Sequence, residues 1–142
     1  MKTSFARTVV FLVVAAACVI SVRAVARAQQ AAPAVVRTVL LTTDLNVPGY
    51  QEVLVEVRIP VGGREGRHTH PGTVIVHVEE GELTLDYDGK PTKAYKAGES
   101  FAVEAGKIHE GINRGSAPMR AIAAFVVEKG KPLTTPVAGA TR

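Results

Sequence analysis

Most of this sequence lacks the 3.6-residue apolar periodicity of helices, and it also lacks the cysteines that disulfides, thiol catalysis and thiolate metal sites require. From residue 29 onward, no stretch places apolar residues at a 3.6-residue period, which argues against a helical fold. The chain has a single cysteine, Cys18. Residues 29–142 therefore have no disulfide, no thiol nucleophile and no thiolate metal ligand. Internal repeats and low-complexity segments are also lacking.

An excess of basic charge is missing as well once the N-terminal segment is set apart. Residues 1–28 hold four of the 17 Lys and Arg and none of the 13 Asp and Glu, so residues 29–142 hold 13 of each sign. The sequence pI of about 9.5 belongs mostly to that first segment. A neutral chain without a basic face gives no indication of nucleic-acid binding, and we predict no nucleic-acid partner.

The first 28 residues have the order of a secretory signal peptide. Lys2 and Arg7 give a positive start, residues 8–22 are almost wholly apolar, and Ala26-Arg27-Ala28 provides a small-residue cleavage site. We expect residues 1–28 to be removed, the protein to be exported to the periplasm or secreted, and no stable membrane anchor to remain. An uncleaved anchor is the alternative, although 15 apolar residues fall short of the roughly 20 that span a bilayer.

The remaining chain reads as a series of short strands separated by turn residues. Residues 51–59 alternate apolar and polar side chains, which is typical of a half-buried strand. This spacing of strands predicts an all-β antiparallel sandwich or barrel over residues 36–128, after a flexible lead-in (29–35) and before a polar surface tail (129–142). The predicted core comprises Val53, Val55, Val57, Phe101, Val103, Ile122 and Phe125.

Three of the four histidines have the spacing of a metal site. His68 and His70 are two residues apart, so on a strand their side chains point to the same side. His109 follows 39 residues later, after a turn. Neutral imidazoles suit zinc, iron, copper or nickel better than magnesium or calcium. Alone, the His-x-His pair would slightly favour a pair of solvated loop residues over a metal site.

The glycines around these histidines make the pattern more specific. The two segments are GGREGRHTHPGTVIVHVEEG (62–81) and GESFAVEAGKIHEGIN (98–113). Their four glycines, three histidines and asparagine are similar to the two motifs of small single-domain cupins. The resemblance implies a jelly-roll-like barrel in which His68, His70 and His109 bind a divalent transition metal (Fe, Zn, Mn, Ni or Cu). It also implies a small-molecule ligand and, because cupins often dimerise, a homodimer paired through the first strand.

Two positions depart from the cupin motifs. Val74 stands where the first motif has a metal-binding glutamate, and Glu104 stands where the second has proline. A valine cannot bind a metal, so the site would keep three imidazoles and leave the remaining positions open to water or substrate, as catalytic metal sites do. The lost ligand could instead mean a lost metal. Glu104 could reach the mouth of the barrel as a substitute carboxylate.

Four more polar residues have predicted roles around the site. Alternation along the strand should turn Glu110 away from His109. The same argument places His77 on the outer face, as a surface or interface residue. Asn113 should tie its loop rather than touch a ligand. Arg67 could pair with an anionic substrate at the rim, but a solvated loop arginine is the simpler interpretation.

Three kinds of function fit these residues. One is an oxygen-dependent, dioxygenase-like or isomerase-like enzyme in which the metal polarises a chelating substrate. Another is a non-catalytic barrel that binds or senses a small molecule or metal. The third is a metal-free structural barrel, in which the histidines would diverge. The same fold hosts all three, so the fold alone does not select one.

Overall fold

The computed structural model describes residues 34–138, and these form ten β-strands and no helix. Within this range, no helix has the length and apolarity needed to cross a membrane. The strands are β1 (Val36–Asp44), β2 (Tyr50–Ile59), β3 (His68–Thr69), β4 (Val74–Glu80), β5 (Glu82–Tyr87), β6 (Lys93–Lys96), β7 (Ser100–Val103), β8 (His109–Ile112), β9 (Met119–Glu128) and β10 (Thr135–Pro136). The predicted signal peptide (1–28), most of the predicted lead-in and residues 139–142 lie outside the described residues.

The strands make two antiparallel sheets that face each other. The first has the order β1-β2-β9-β4-β7 and the second has the order β10-β3-β8-β5-β6. The all-β antiparallel, jelly-roll-like prediction is therefore confirmed, although strand pairing does not close the two sheets into a continuous barrel in the described residues. Within residues 34–138, no ladder of strand hydrogen bonds joins the edges of the two sheets. At one edge of the second sheet, β10 has only two residues.

Alternation along β2 and β9 builds most of the core between the sheets. The two strands pair over their full length, and every second residue is buried from Val53 onward in β2 and along the whole of β9. Glycine at position 72 is required where the chain enters β4, because a Cβ there would meet the carbonyl oxygen of Val126 at 1.9 Å. The buried hydrophobic cluster comprises Val53, Val55, Val57, Ile59, Val74, Val78, Leu83, Leu85, Tyr87, Val103, Met119, Ala121, Ala123, Phe125 and Val127.

Two of the seven predicted core residues are only half-buried. Ile122 lies between the inward-pointing Ala121 and Ala123, so alternation places it on the outer face of β9. The sequence did not show which residues of β9 point inward, because residues 121–127 are all apolar and both faces of the strand are hydrophobic. Phe101 packs against the core from β7, but this strand is at the sheet edge and leaves the ring partly exposed. The other five are buried.

Candidate metal centre

The three motif histidines converge between the two sheets. His68 on β3 is paired directly with His109 on the neighbouring strand β8, and His70 follows β3. All three are buried, and each offers one ligand atom to a group whose atoms lie within 4.8 Å of one another. Their ring centroids are 4.3–4.8 Å apart. The fold therefore brings His109 next to His70, 39 positions earlier in the chain, as predicted. The three histidines do not diverge, as they would in a purely structural barrel.

Each imidazole is oriented by a backbone carbonyl. Nδ1 of His68 lies 2.7 Å from the carbonyl oxygen of Gly66, Nδ1 of His70 lies 2.7 Å from that of Leu133, and Nδ1 of His109 lies 3.0 Å from that of Lys107. A carbonyl oxygen only accepts hydrogen bonds, so Nδ1 of each ring carries the proton and donates it. This leaves the Nε2 lone pairs available as ligands. Such carbonyl partners commonly fix metal-binding histidines.

The Nε2 atoms of His70 and His109 lie 3.1 Å apart. Burial, the largest effect, lowers the pKa of each ring to about 4, and the like charges of the neighbouring histidines act in the same direction. Both rings are therefore neutral at pH 7. With both protons on Nδ1, two lone pairs face each other inside the protein, an arrangement that a cation between them relieves. The donor set, the spacing and the protonation of these residues thus fit a transition metal.

Val74 forms an apolar wall beside the histidines. Its side chain is 1% exposed and lines the same cavity as His70 and His109. The position that holds glutamate in the motif therefore faces the site, as predicted, but presents methyl groups to it. In the described part of the chain, the metal-competent group consists of three histidines without a carboxylate. The rest of the cavity wall is mostly apolar and includes Val57, Leu85, Val103, Met119, Ala121 and Phe125.

An ion pair forms the charged end of this cavity. Arg37 on β1 donates to Glu65 at 2.7 Å, and both side chains line the cavity with His70 and His109. Glu65 fits because residue 111 is glycine: a Cβ at Gly111 would lie 2.5 Å from a carboxylate oxygen of Glu65. Sequence reasoning missed this pair because its partners are 28 residues apart and neither occupies one of the glycine, histidine or asparagine positions of the two motifs.

A buried carboxylate, Glu110, supports the site from behind. Glu110 is 2% exposed and accepts hydrogen bonds from Arg64 Nε at 2.6 Å and from the backbone N–H of Gly66 at 3.0 Å. Hydrogen bonds from Arg64, the largest effect, hold the pKa of Glu110 below its usual value despite burial. Glu110 is outside the metal-competent group, as alternation predicted, but it fixes the loop whose carbonyl orients His68.

Arg67 differs from its prediction. Its side chain is only 7% exposed and pairs with Asp86 and Asp88, so it is not a solvated loop arginine. The reason is that β3 lies next to β8, which places the side chain over the end of β5 where these acids reside. Glu104 also falls outside the site, because it pairs with Lys90 on the exposed surface.

His77 and Asn113 lie where the sequence predicted. His77 is exposed on the outer face of β4 and bonds Ser100 Oγ at 2.8 Å. Asn113 is fully buried and ties its loop: its Nδ2 donates to the carbonyls of Ile59 at 2.8 Å and Ala117 at 2.9 Å. Neither belongs to the metal-competent group.

The C-terminal tail contributes to the centre in a way the sequence did not reveal. Strand β10, within the tail, pairs with β3, Thr134 lines the cavity, and the Leu133 carbonyl orients His70. Every residue has a backbone carbonyl, so the sequence cannot indicate which carbonyl will accept the hydrogen bond of a given histidine.

Comparison with known proteins agrees with this architecture. A family model described as Cupin domain matches residues 55–128. A germin-like protein of rice, Germin-like protein 1-1, is 41% identical over 69 residues, which are 45% of this chain and 32% of that protein. The chain thus matches only about a third of the length of this curated relative.

Solved structures show the same fold at low sequence identity. A cupin-like protein from Thermotoga maritima superposes with a TM-score of 0.62 at 21% identity, covering 76% of this chain and 79% of that one. A double-stranded β-helix protein from Klebsiella pneumoniae gives 0.58 at 22% identity, covering 73% and 84%. Because the family model spans half of the sequence and includes all three converging histidines, this chain belongs to the cupin domain family.

Proposed function

We propose that this cupin binds one divalent transition metal through Nε2 of His68, His70 and His109. The observation that carries the proposal is the 3.1 Å approach of two Nε2 atoms whose rings both donate through Nδ1 to carbonyls. Zinc, iron, nickel and copper suit imidazole ligands, and the three neutral rings do not select among them; manganese, which the family resemblance also allows, prefers oxygen ligands. When bound, the metal would supply a Lewis acid with coordination positions open on the cavity side.

The cavity next to the histidines would hold a small organic ligand. Its walls are mostly apolar, and the Arg37–Glu65 pair provides a charged end that can orient a polar group. Pockets of this kind, apolar with a few placed polar groups, are typical of small-molecule sites. Our preferred function is therefore metal-dependent chemistry on a chelating ligand, of the oxygen-dependent kind.

Metal content is the direct test of the centre. Protein expressed in the periplasm should contain about one transition metal ion per chain when measured by mass spectrometry. His68→Ala and His109→Ala should each remove most of it, whereas His77→Ala, on the outer face, should leave it unchanged. Unchanged metal in the His68 and His109 variants would make the three-histidine centre wrong.

A non-catalytic binding or sensing barrel is the alternative, and oxygen consumption separates the two. The iron-loaded protein should consume oxygen with a diketone, thiol or phenol as substrate, and the His109→Ala variant should not. Metal binding without oxygen uptake on any of these would favour the sensing role.

Export is a separate proposal, supported by the order of charged, apolar and small residues in residues 1–28. The N-terminal sequence of the exported protein should begin at Gln29. A membrane-bound product that begins at Met1 would contradict it.

A further inference from the structure

The carboxylate of Glu65 occupies space that a glycine within a strand leaves open. Gly111 pairs with Leu85, a residue of the buried core, so position 111 of β8 faces the space between the sheets. His109 is two positions earlier on the same strand and therefore faces the same way. A Cβ at Gly111 would lie 2.5 Å from Oε2 of Glu65 and would push the carboxylate aside. Glu65 thus lies over the strand face that carries a candidate metal ligand.

One oxygen of this carboxylate is held by the protein and the other is available to a ligand. Arg37 donates to Oε1 of Glu65 at 2.7 Å, whereas none of residues 34–138 donates a hydrogen bond to Oε2. The side chain of Glu65 is 14% exposed and that of Arg37 is 39% exposed, so the carboxylate is the inner partner of the pair. Oε2 is therefore an acceptor of fixed orientation in the wall of the cavity, without a donor from the described residues.

The cavity therefore has two polar ends within a mostly apolar wall. At one end, His70 and His109 present the lone pairs of Nε2. At the other end lies Oε2 of Glu65. Two residues of an antiparallel strand span about 7 Å, which is the separation of His109 and Gly111 along β8. One small organic molecule is long enough to reach both ends.

We propose that Glu65 selects ligands that carry a hydroxyl group opposite their metal-binding end, an inference that rests on the proposed function of the cavity as a ligand site. The hydroxyl donates to Oε2 and supplies the hydrogen bond that this oxygen lacks. An apolar end would strip water from the carboxylate without replacing its hydrogen bond, which is unfavourable. A second carboxylate would meet a like charge, because Glu65 already offsets the charge of Arg37. The ligand class is therefore a small, uncharged hydroxy compound with a chelating group.

Two hydroxamic acids of equal size test this selection. Both bind metals through the hydroxamate group, but glycolohydroxamic acid has a hydroxyl where propionohydroxamic acid has a methyl group. Calorimetric titration of the zinc-loaded protein should show about 10-fold to 100-fold tighter binding of the hydroxyl compound, because the methyl compound leaves a charged acceptor without its hydrogen bond. The metal-free protein, titrated by NMR, should keep this preference at lower affinity, because Glu65 and not the ion confers it.

Two variants locate the preference at Glu65. Glu65→Leu removes the acceptor, and Gly111→Ala displaces it through the added Cβ. Each should reduce the preference for the hydroxyl compound to about threefold or less. Glu104→Leu removes the carboxylate of an exposed pair with Lys90 and is the matched control, which should keep the full preference.

The outcomes separate this inference from the metal centre. Equal affinity of the unmodified, zinc-loaded protein for the two compounds would overturn selection by Glu65, and so would a full preference in Glu65→Leu. If zinc does not bind, the metal-free titration decides. A hydroxyl preference there would support selection by Glu65 although the metal centre is wrong, and no preference there would overturn both.

Discussion

The carboxylate of Glu110 accepts a hydrogen bond from the backbone N–H of Gly66, with an N···O distance of 3.0 Å. The carbonyl oxygen of the same Gly66 lies 2.7 Å from Nδ1 of His68. One buried acid, held by Arg64, therefore positions a loop that in turn fixes a candidate metal ligand. Such supporting contacts determine how well a ligand set is organised before the metal arrives.

Glu110→Gln should weaken metal binding by about 10-fold to 100-fold, because the neutral amide holds Arg64 and Gly66 less firmly. It should also lower the free energy of unfolding by about 1–3 kcal/mol, since a buried charge-assisted hydrogen bond is lost. Competition with a chelator of known affinity measures the first effect, and denaturant unfolding measures the second. Glu104→Gln, in an exposed pair with Lys90, is the control and should change neither.

Val74→Glu should restore a carboxylate to the wall of the site. We expect the variant to bind a divalent cation about tenfold or more tightly than the unmodified protein, which is equivalent to roughly 1.4 kcal/mol of binding free energy. In the metal-free protein the buried, unpaired charge should cost about 3 kcal/mol of stability. Metal titration and thermal unfolding of both forms test this.

Ile75→Glu provides the matched control for Val74→Glu, because Ile75 is the next residue on β4 and is exposed on the opposite face. It should affect neither metal affinity nor stability appreciably. Equal metal affinity in Val74→Glu and the unmodified protein would mean that residue 74 does not face the metal.

The metal-free protein should lose stability as the pH falls from about 6.5 to about 4. Burial lowers the pKa of His70 and His109 to about 4, against 6.5 for the unfolded chain. Over this interval the unfolded chain takes up more protons, so folding becomes less favourable by up to about 3 kcal/mol per histidine. Thermal unfolding midpoints measured in chelator across this range should fall, and the His70→Gln, His109→Gln double variant should show a flatter profile.

Truncation after Gly130 should weaken metal binding although it removes no ligand. The cut deletes β10 and the Leu133 carbonyl, which orients His70. The loss of this partner should reduce metal affinity about 10-fold to 100-fold. Truncation after Ala138 retains both features and should leave affinity unchanged, as measured by the same chelator competition. Equal affinity in the two truncated chains would mean that the tail does not organise the site.

The sequence by itself determined the class of fold and the identity of the three converging histidines. Alternation at period two places Val53, Val55 and Val57 on one face whatever the rest of the chain does, because a strand turns successive side chains to opposite sides. The spacing of His68, His70 and His109 among turn glycines located the site. Alternation failed at Ile122, where both faces of the strand are apolar and the phase is ambiguous.

Only the tertiary structure decided what surrounds those histidines. Arg37, Glu65 and the Leu133 carbonyl come from an edge strand, a loop and the tail, and their proximity depends on how the two sheets are laid together. Whether strand pairing joins the two sheets at their edges, which it does not within residues 34–138, is likewise set by how the strands are placed in space. Long-range packing sets these relationships, and a local sequence pattern does not encode them because it reports only which way neighbouring side chains point.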